Sequence, residues 1–198
     1  MRICYGVVSG LLLLTIFAAT DGYAEQTLVF IRHGEKPAGG LGQLTCQGLN
    51  RALALSTVLS GRYGKPTFLY APNPAVKVND SAGSFYYVRP LATIEPTAIK
   101  LQMPVNTRYG YNDITNFQAA LITPAKDNTT TFIAWEHIYL QKLVQNLMNV
   151  YGGGVTVPAW ASTDYDSVFV LHITYGVTIN AVFHHDMEGL NGQSAICP

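Results

Sequence analysis

A histidine at position 33 stands between Arg32 and Gly34, directly after the apolar run Leu28-Val29-Phe30-Ile31. Neutral imidazole is a nucleophile, an adjacent guanidinium can grip two oxygens of a tetrahedral anion, and glycine lets the backbone turn sharply. Together these properties suit attack on phosphorus. Phosphoryl transfer asks a protein mainly for positioning and charge stabilisation, so one nucleophile among several cationic donors is the expected arrangement. Two further donors, Arg89 beside Pro90 and His137 beside Glu136, follow later apolar segments. Parallel strands of an α/β sheet end at one rim, where residues so far apart in sequence can meet.

The pattern of apolar and turn residues predicts the elements that must carry them. Residues 27–31 read as a strand buried on both faces. Leu49, Ala52, Leu53, Ser56 and Leu59 recur at helical spacing, predicting a helix over 47–60 with Thr45 as its cap and Gly61 as its stop. Residues 67–70 and 85–88 are predicted strands, and 71–83, rich in Pro, Asn, Asp, Ser and Gly, a loop. Arg89 then falls at a strand end or in the connection. A helix is expected through 98–101 with Pro96 in its first turn, where a missing N–H is harmless. A short helix follows Asp113, strand 131–135 delivers Glu136 and His137, and the next helix carries Leu140, Leu143, Val144, Leu147 and Tyr151 on one face. Residues 168–173 and 178–183 predict an antiparallel hairpin at the sheet edge. The class is α/β with a mainly parallel central sheet.

Twelve basic and twelve acidic side chains leave no formal net charge, so the chain offers no bulk field for nucleic acid or anionic lipid. Hydrophobic residues at 48% and charged residues at 12% exclude intrinsic disorder and supply one sizeable core. Met1 and Arg2 precede an uncharged apolar segment, and Gly22 and Ala24 suit the positions before a cleavage site. The expectation is a signal peptide over 1–24 and a single domain over 25–198, periplasmic or secreted, with no stable membrane insertion after cleavage. Of three cysteines, Cys46 and Cys197 remain, either as one disulfide or as two thiols. His184, His185 and Asp186 adjoin one another, but neighbouring strand side chains diverge, so no metal site is expected there. Twelve tyrosines include Tyr70, Tyr86, Tyr87, Tyr109 and Tyr111, whose rings can stack on a substrate or pack. For Glu35, Asp164 and Asp166 a capping or loop role is expected. Nothing in the pattern sets the oligomeric state.

The run from Leu28 to Glu35, followed by Leu44-Thr45-Cys46-Gln47-Gly48, resembles the signature of the histidine phosphatase superfamily, also called phosphoglycerate-mutase-like. Arg89-Pro90-Leu91-Ala92-Thr93 resembles its arginine-bearing segment, and His137 resembles its second histidine. The resemblance implies a three-layer α/β/α fold in which His33 forms a phosphohistidine and Arg32, Arg89 and His137 hold the transferring group, without metal or cofactor. No motif marks the acid that protonates the leaving group. Glu136 is one candidate, provided the strand has ended before it, and Asp113 is the other. Two departures, Glu35-Lys36-Pro37 and Ile138, together with export, point away from a mutase and toward a secreted or periplasmic phosphomonoesterase with a small phosphorylated substrate. The competing expectation is a noncatalytic phosphate or phospho-sugar binding protein with the same anion pocket.

Overall fold

The structure is a computed structural model that describes residue 1, residues 24–122 and residues 128–198. Apart from its end residues, the expected signal segment lies outside the described residues. In chain order the elements are β1 (Ala24–Arg32), α1 (Cys46–Tyr63), β2 (Phe68–Tyr70), β3 (Lys77–Asp80), β4 (Gly83–Tyr86), α2 (Arg89–Leu101), β5 (Val105–Asn106), α3 (Ile114–Leu121), β6 (Thr129–Trp135), α4 (His137–Tyr151), β7 (Ser167–Tyr175) and β8 (Ile179–Met187). Six strands form one sheet in the order β5-β2-β6-β1-β7-β8. β5, β2, β6 and β1 are parallel, whereas β7 runs against both β1 and β8.

The stretch of β1 from Leu28 to Ile31 is continuously apolar because both of its faces are covered. Val29 and Ile31 pack with Leu55 and Leu59 of α1 and with Ile94 and Ala98 of α2. Leu28 and Phe30 pack on the other side with Phe117 of α3 and with Leu140, Leu143 and Val144 of α4. The result is the three-layer α/β/α arrangement, with the β7–β8 hairpin at one edge as expected.

Several local expectations give way to tertiary context. α1 passes Gly61 and stops at Gly64, whose φ of 74° is a positive value that glycine adopts without strain. The segment 71–83 is not all loop: β3 and β4 form a separate two-stranded hairpin that sets Asp80 beside the sheet rim, and the strand expected at 85–88 belongs to it. α2 begins at Arg89 with Pro90 in its first turn, leaving Pro96 inside the helix. Pro90 fits the first turn because its nitrogen needs no partner there, and burial of Ile94, Thr97 and Ala98 offsets the hydrogen bond that Pro96 removes.

Cys46, the first residue of α1, is bridged to Cys197, with Cα atoms 4.6 Å apart. Asn50 reinforces this attachment of the carboxyl-terminal tail by donating to the carbonyls of Ser194 and Ile196, both at 2.8 Å. Among the described residues no helix is long and apolar enough to cross a membrane.

Candidate active site

β1 and β6 end side by side, so Arg32 pairs with Trp135 and the His33 N–H donates to the Trp135 carbonyl at 3.1 Å. The chain then turns at Gly34, where a Cβ would lie 2.9 Å from the Gly48 carbonyl oxygen. This close approach seats the His33 loop on the first turn of α1 and explains glycine at both positions. Thr45 caps that helix by accepting from the Gly48 N–H at 3.1 Å, while Thr93 of α2 accepts from the Gly34 N–H at 2.9 Å.

The His33 ring is buried, and its Nδ1 lies 2.8 Å from the Gly34 carbonyl oxygen. A carbonyl only accepts, so Nδ1 carries the hydrogen and Nε2 carries the lone pair. Arg89 independently selects the same tautomer, because its Nε–H donates to His33 Nε2 at 3.2 Å. Burial, then the charges of Arg89, Arg32 and His137, hold the His33 pKa well below its ordinary 6.5. The ring is therefore neutral at neutral pH, with its nucleophilic nitrogen facing cationic donors.

Arg89 is held in place by Asp80, which accepts from its two terminal nitrogens at 2.7 and 3.0 Å. Burial works against the Asp80 charge, but Arg89, the Gly42 N–H and Lys36 outweigh it and keep the carboxyl below its usual range. Arg32 is held differently. One terminal nitrogen donates to the carbonyls of Ala161, Ser162 and Asp164 at 3.3, 2.8 and 2.8 Å, and the guanidinium lies 4.0 Å from the centre of the Tyr165 ring. Among the described residues no carboxylate is within ion-pair distance of Arg32, and its buried Nε has no partner.

β6 stops at Trp135, so Glu136 and His137 are not strand residues: Glu136 is the N-cap of α4 and His137 its first helical residue. Glu136 Oε2 accepts from the N–H groups of Ile138 and Tyr139 at 2.9 and 3.0 Å, while Oε1 lies 2.6 Å from His137 Nδ1. The latter is an ion-pair contact off the direction of the ring N–H, so His137 Nδ1 has no aligned hydrogen bond. Although burial opposes it, the contacts with His137 and the two helix N–H groups hold the Glu136 carboxyl below its usual range.

Tyr87 and Tyr165 complete the surroundings of His33, with ring centroids 6.2 and 6.1 Å from its own. Tyr87 is wholly buried, lies 4.6 Å below the Arg89 guanidinium, and its hydroxyl has no partner. Burial pushes the Tyr87 pKa upward, so the phenol keeps its proton. Arg32, His33, Arg89, Glu136 and His137 thus meet at one rim. Asp113 does not join them: it sits at the N-cap position of α3, where its carboxylate accepts from Asn116 at 2.9 Å. The sequence reading gave no role to Asp80 or Tyr165, grouped Tyr87 with other tyrosines, and quoted Thr93 in the arginine-bearing segment without a role of its own. No motif marks Asp80, Tyr87 or Tyr165, because their roles come from loops and a small hairpin folded back across the rim.

No protein-family model and no curated protein sequence matches the chain. Solved structures do. The protein histidine phosphatase SixA complexed with tungstate superposes with a TM-score of 0.58 at 14% identity, covering 82% of this chain and 97% of that one. Phosphoglycerate mutase from Plasmodium falciparum superposes with a TM-score of 0.53 at 12% identity, covering 81% and 89%. The chain has the phosphoglycerate-mutase-like fold. A mycobacterial glucosyl-3-phosphoglycerate phosphatase in complex with inorganic phosphate superposes with a TM-score of 0.52 at 13% identity, covering 80% and 95%. In this phosphoglycerate-mutase-like chain, the rim at which β1 and β6 end carries the residues that the sequence pattern singled out.

Proposed function

We propose that the protein is a phosphomonoesterase of the histidine phosphatase type, working on His33. The observation that carries this reading is a surplus of positive and hydrogen-donating groups around a neutral nucleophile. Arg32 lacks a carboxylate, and Arg32 Nε and the Tyr87 hydroxyl are both buried without a partner. Buried polar atoms are normally satisfied, so two such atoms beside one imidazole mark a place for a tetrahedral anion. Neighbours of the same fold hold tungstate and inorganic phosphate, which supports the reading.

In the proposed reaction His33 Nε2 forms a bond to phosphorus while the bond from phosphorus to the leaving oxygen breaks. The Arg89 Nε–H, which rests on Nε2, turns to a phosphoryl oxygen and frees the lone pair. Arg32, Tyr87 and His137 donate to the remaining oxygens. Glu136 supplies the proton taken by the leaving oxygen, since the negative charge of a bound phosphate beside it raises its proton affinity. Water then attacks phosphorus, the N–P bond breaks, and the water proton returns to Glu136. The disulfide and the pattern of residues 1–24 support action in the periplasm or outside the cell.

The test is turnover of phosphate-radiolabelled benzyl phosphate by the wild-type chain and by His33→Ala, with quenching in alkaline detergent to trap phosphoprotein. Turnover that falls by at least about 10³-fold in the variant, with acid-labile and alkali-stable label on the wild type only, is expected. Equal turnover in the two proteins refutes the mechanism. The depressed proton affinity of Glu136 favours a second reading, a phosphate-binding protein without an effective acid. Phosphate binding with no hydrolysis from pH 4 to 8 selects that alternative.

A further inference from the structure

Beside His137 the surface opens into a hollow of about 220 Å³ lined by His137, Ile138, Gln141, Ala159 and Trp160. It adjoins the candidate active site, because His137 is a wall of both and the Asp164 carbonyl accepts from Trp160 Nε1 on one side and from Arg32 on the other. We infer that this hollow receives the leaving group, and that the substrate is the phosphate monoester of an aromatic alcohol of about one ring. The inference rests on the phosphatase reading and adds to it the class of substrate.

Three observations support that class. First, two polar groups of the wall are already engaged, since the Trp160 indole N–H bonds Asp164 at 3.1 Å and the Gln141 amide N–H donates to the Val157 carbonyl at 3.4 Å, and His137, at the edge shared with the anion site, serves the phosphoryl group. Sugar hydroxyls entering here would exchange water for carbon, whereas an apolar ring gains by leaving water. Ile138, 63% exposed, is the apolar surface that such a ring would cover. Second, the size is right, since an apolar cavity of roughly 150 Å³ accommodates benzene. Third, the local charges do not suit a second anionic group. Arg32, Arg89 and Lys36 are set against Asp80 alone once Glu136 holds the proton it donates, a surplus of two positive charges that a single phosphate dianion already balances.

The test compares benzyl phosphate, glycerol 3-phosphate and glucose 6-phosphate, all esters of primary alcohols, so intrinsic leaving-group reactivity is similar. The wild-type chain should favour benzyl phosphate by roughly tenfold or more in kcat/KM, the scale on which an apolar pocket discriminates. Ala159→Trp, which fills the hollow from an exposed position, should erase that preference and leave turnover of glycerol 3-phosphate within about twofold. Ile138→Asn, made in parallel, removes apolar surface without adding charge and should lower the preference for benzyl phosphate, and thermal melts verify that both variants fold. Equal kcat/KM for the three esters in the wild type, or a preference untouched by both variants, overturns the inference while leaving the phosphatase reading intact. If no ester is hydrolysed, that reading fails, and calorimetry with benzylphosphonate and methylphosphonate decides the hollow alone. Tighter binding of the benzyl compound, lost in Ala159→Trp, upholds its aromatic preference, and equal binding overturns it.

Discussion

Arg32 and Arg51 are both buried, yet their surroundings are opposite. Arg51 of α1 touches three carboxylates: Glu35 on the His33 loop at 2.8 Å, Asp166 before β7 at 3.2 Å and Glu188 after β8 at 2.5 Å. Asn191 accepts from it as well, at 3.2 Å. Arg32, at the end of β1, has carbonyl groups and an aromatic face but no carboxylate. A guanidinium compensated within the chain ties segments together, here the His33 loop, α1 and the strand ends of the β7–β8 hairpin. A guanidinium left uncompensated in a dry site awaits an anion, because burying an unpaired charge is costly. Fold and function thus divide between two arginines whose difference lies in their partners.

The sharpest way to break this comparison is to remove each guanidinium separately. Arg32→Met should lower kcat/KM for benzyl phosphate by about 10²–10³-fold, with a smaller loss of stability than Arg51→Met because it orphans backbone carbonyls rather than buried carboxylates. Arg51→Met should do the converse at the level of the fold, because it leaves three carboxylates buried together. A loss of about 3–5 kcal/mol is expected from denaturant unfolding. If Arg32→Met unfolds the protein while Arg51→Met melts normally and loses activity, the roles are reversed and the assignment of the anion site fails.

The same contrast explains what was legible in the sequence. Arg32 and His33 stood out because an apolar strand runs straight into them, and strand ends of a parallel sheet gather at one rim. Arg51 was invisible as a functional or structural centre: it occupies a helical position whose partners, Glu35, Asp166 and Glu188, are up to 137 residues away. Glu136 shows the limit of period-based reading. Adjacent strand residues diverge, but the strand ends one residue earlier, and the carboxylate becomes a helix cap that faces its neighbour His137. Asp80 was hidden for a different reason, since a four-residue strand in a Pro- and Asn-rich segment carries no apolar alternation.

Tyr87 sharpens the comparison at a smaller scale. Its hydroxyl is a buried donor without a partner, as Arg32 Nε is, whereas almost every polar atom of Arg51 is engaged. Tyr87→Phe keeps the ring against His33 and Arg89 and removes only that hydroxyl. If the hydroxyl donates to a phosphoryl oxygen, kcat/KM falls by about 1–2 kcal/mol, roughly five- to thirtyfold, and inhibition by vanadate weakens in parallel. Thermal stability should hold or rise slightly, because the free protein no longer buries an unsatisfied group. Unchanged kinetics with lowered stability would make the hydroxyl structural.

The smallest expected effect concerns protons in the Arg51 cluster. Three carboxylates share one guanidinium, and Glu188 Oε1 is buried without a partner. Burial, reinforced by Asp166 and Glu35 against the pull of Arg51, pushes the Glu188 carboxyl from 4.5 up to about 8. The folded chain therefore keeps a proton that the unfolded chain releases near pH 4.5, so this group's contribution to stability falls as pH rises through that interval. The slope from one group is at most about 1.4 kcal/mol per pH unit. His33 acts with the opposite sign: the unfolded chain takes up its proton below pH 6.5 while the buried ring refuses it, so stability is lost as pH falls there. Between pH 6.5 and 8 the Glu188 effect stands clear of that of His33. Glu188→Gln imitates the protonated carboxyl, so the fall in unfolding free energy over this range should flatten in the variant. Identical slopes in the two proteins would mean that Glu188 is ionised throughout and that Arg51 compensates all three carboxylates at once.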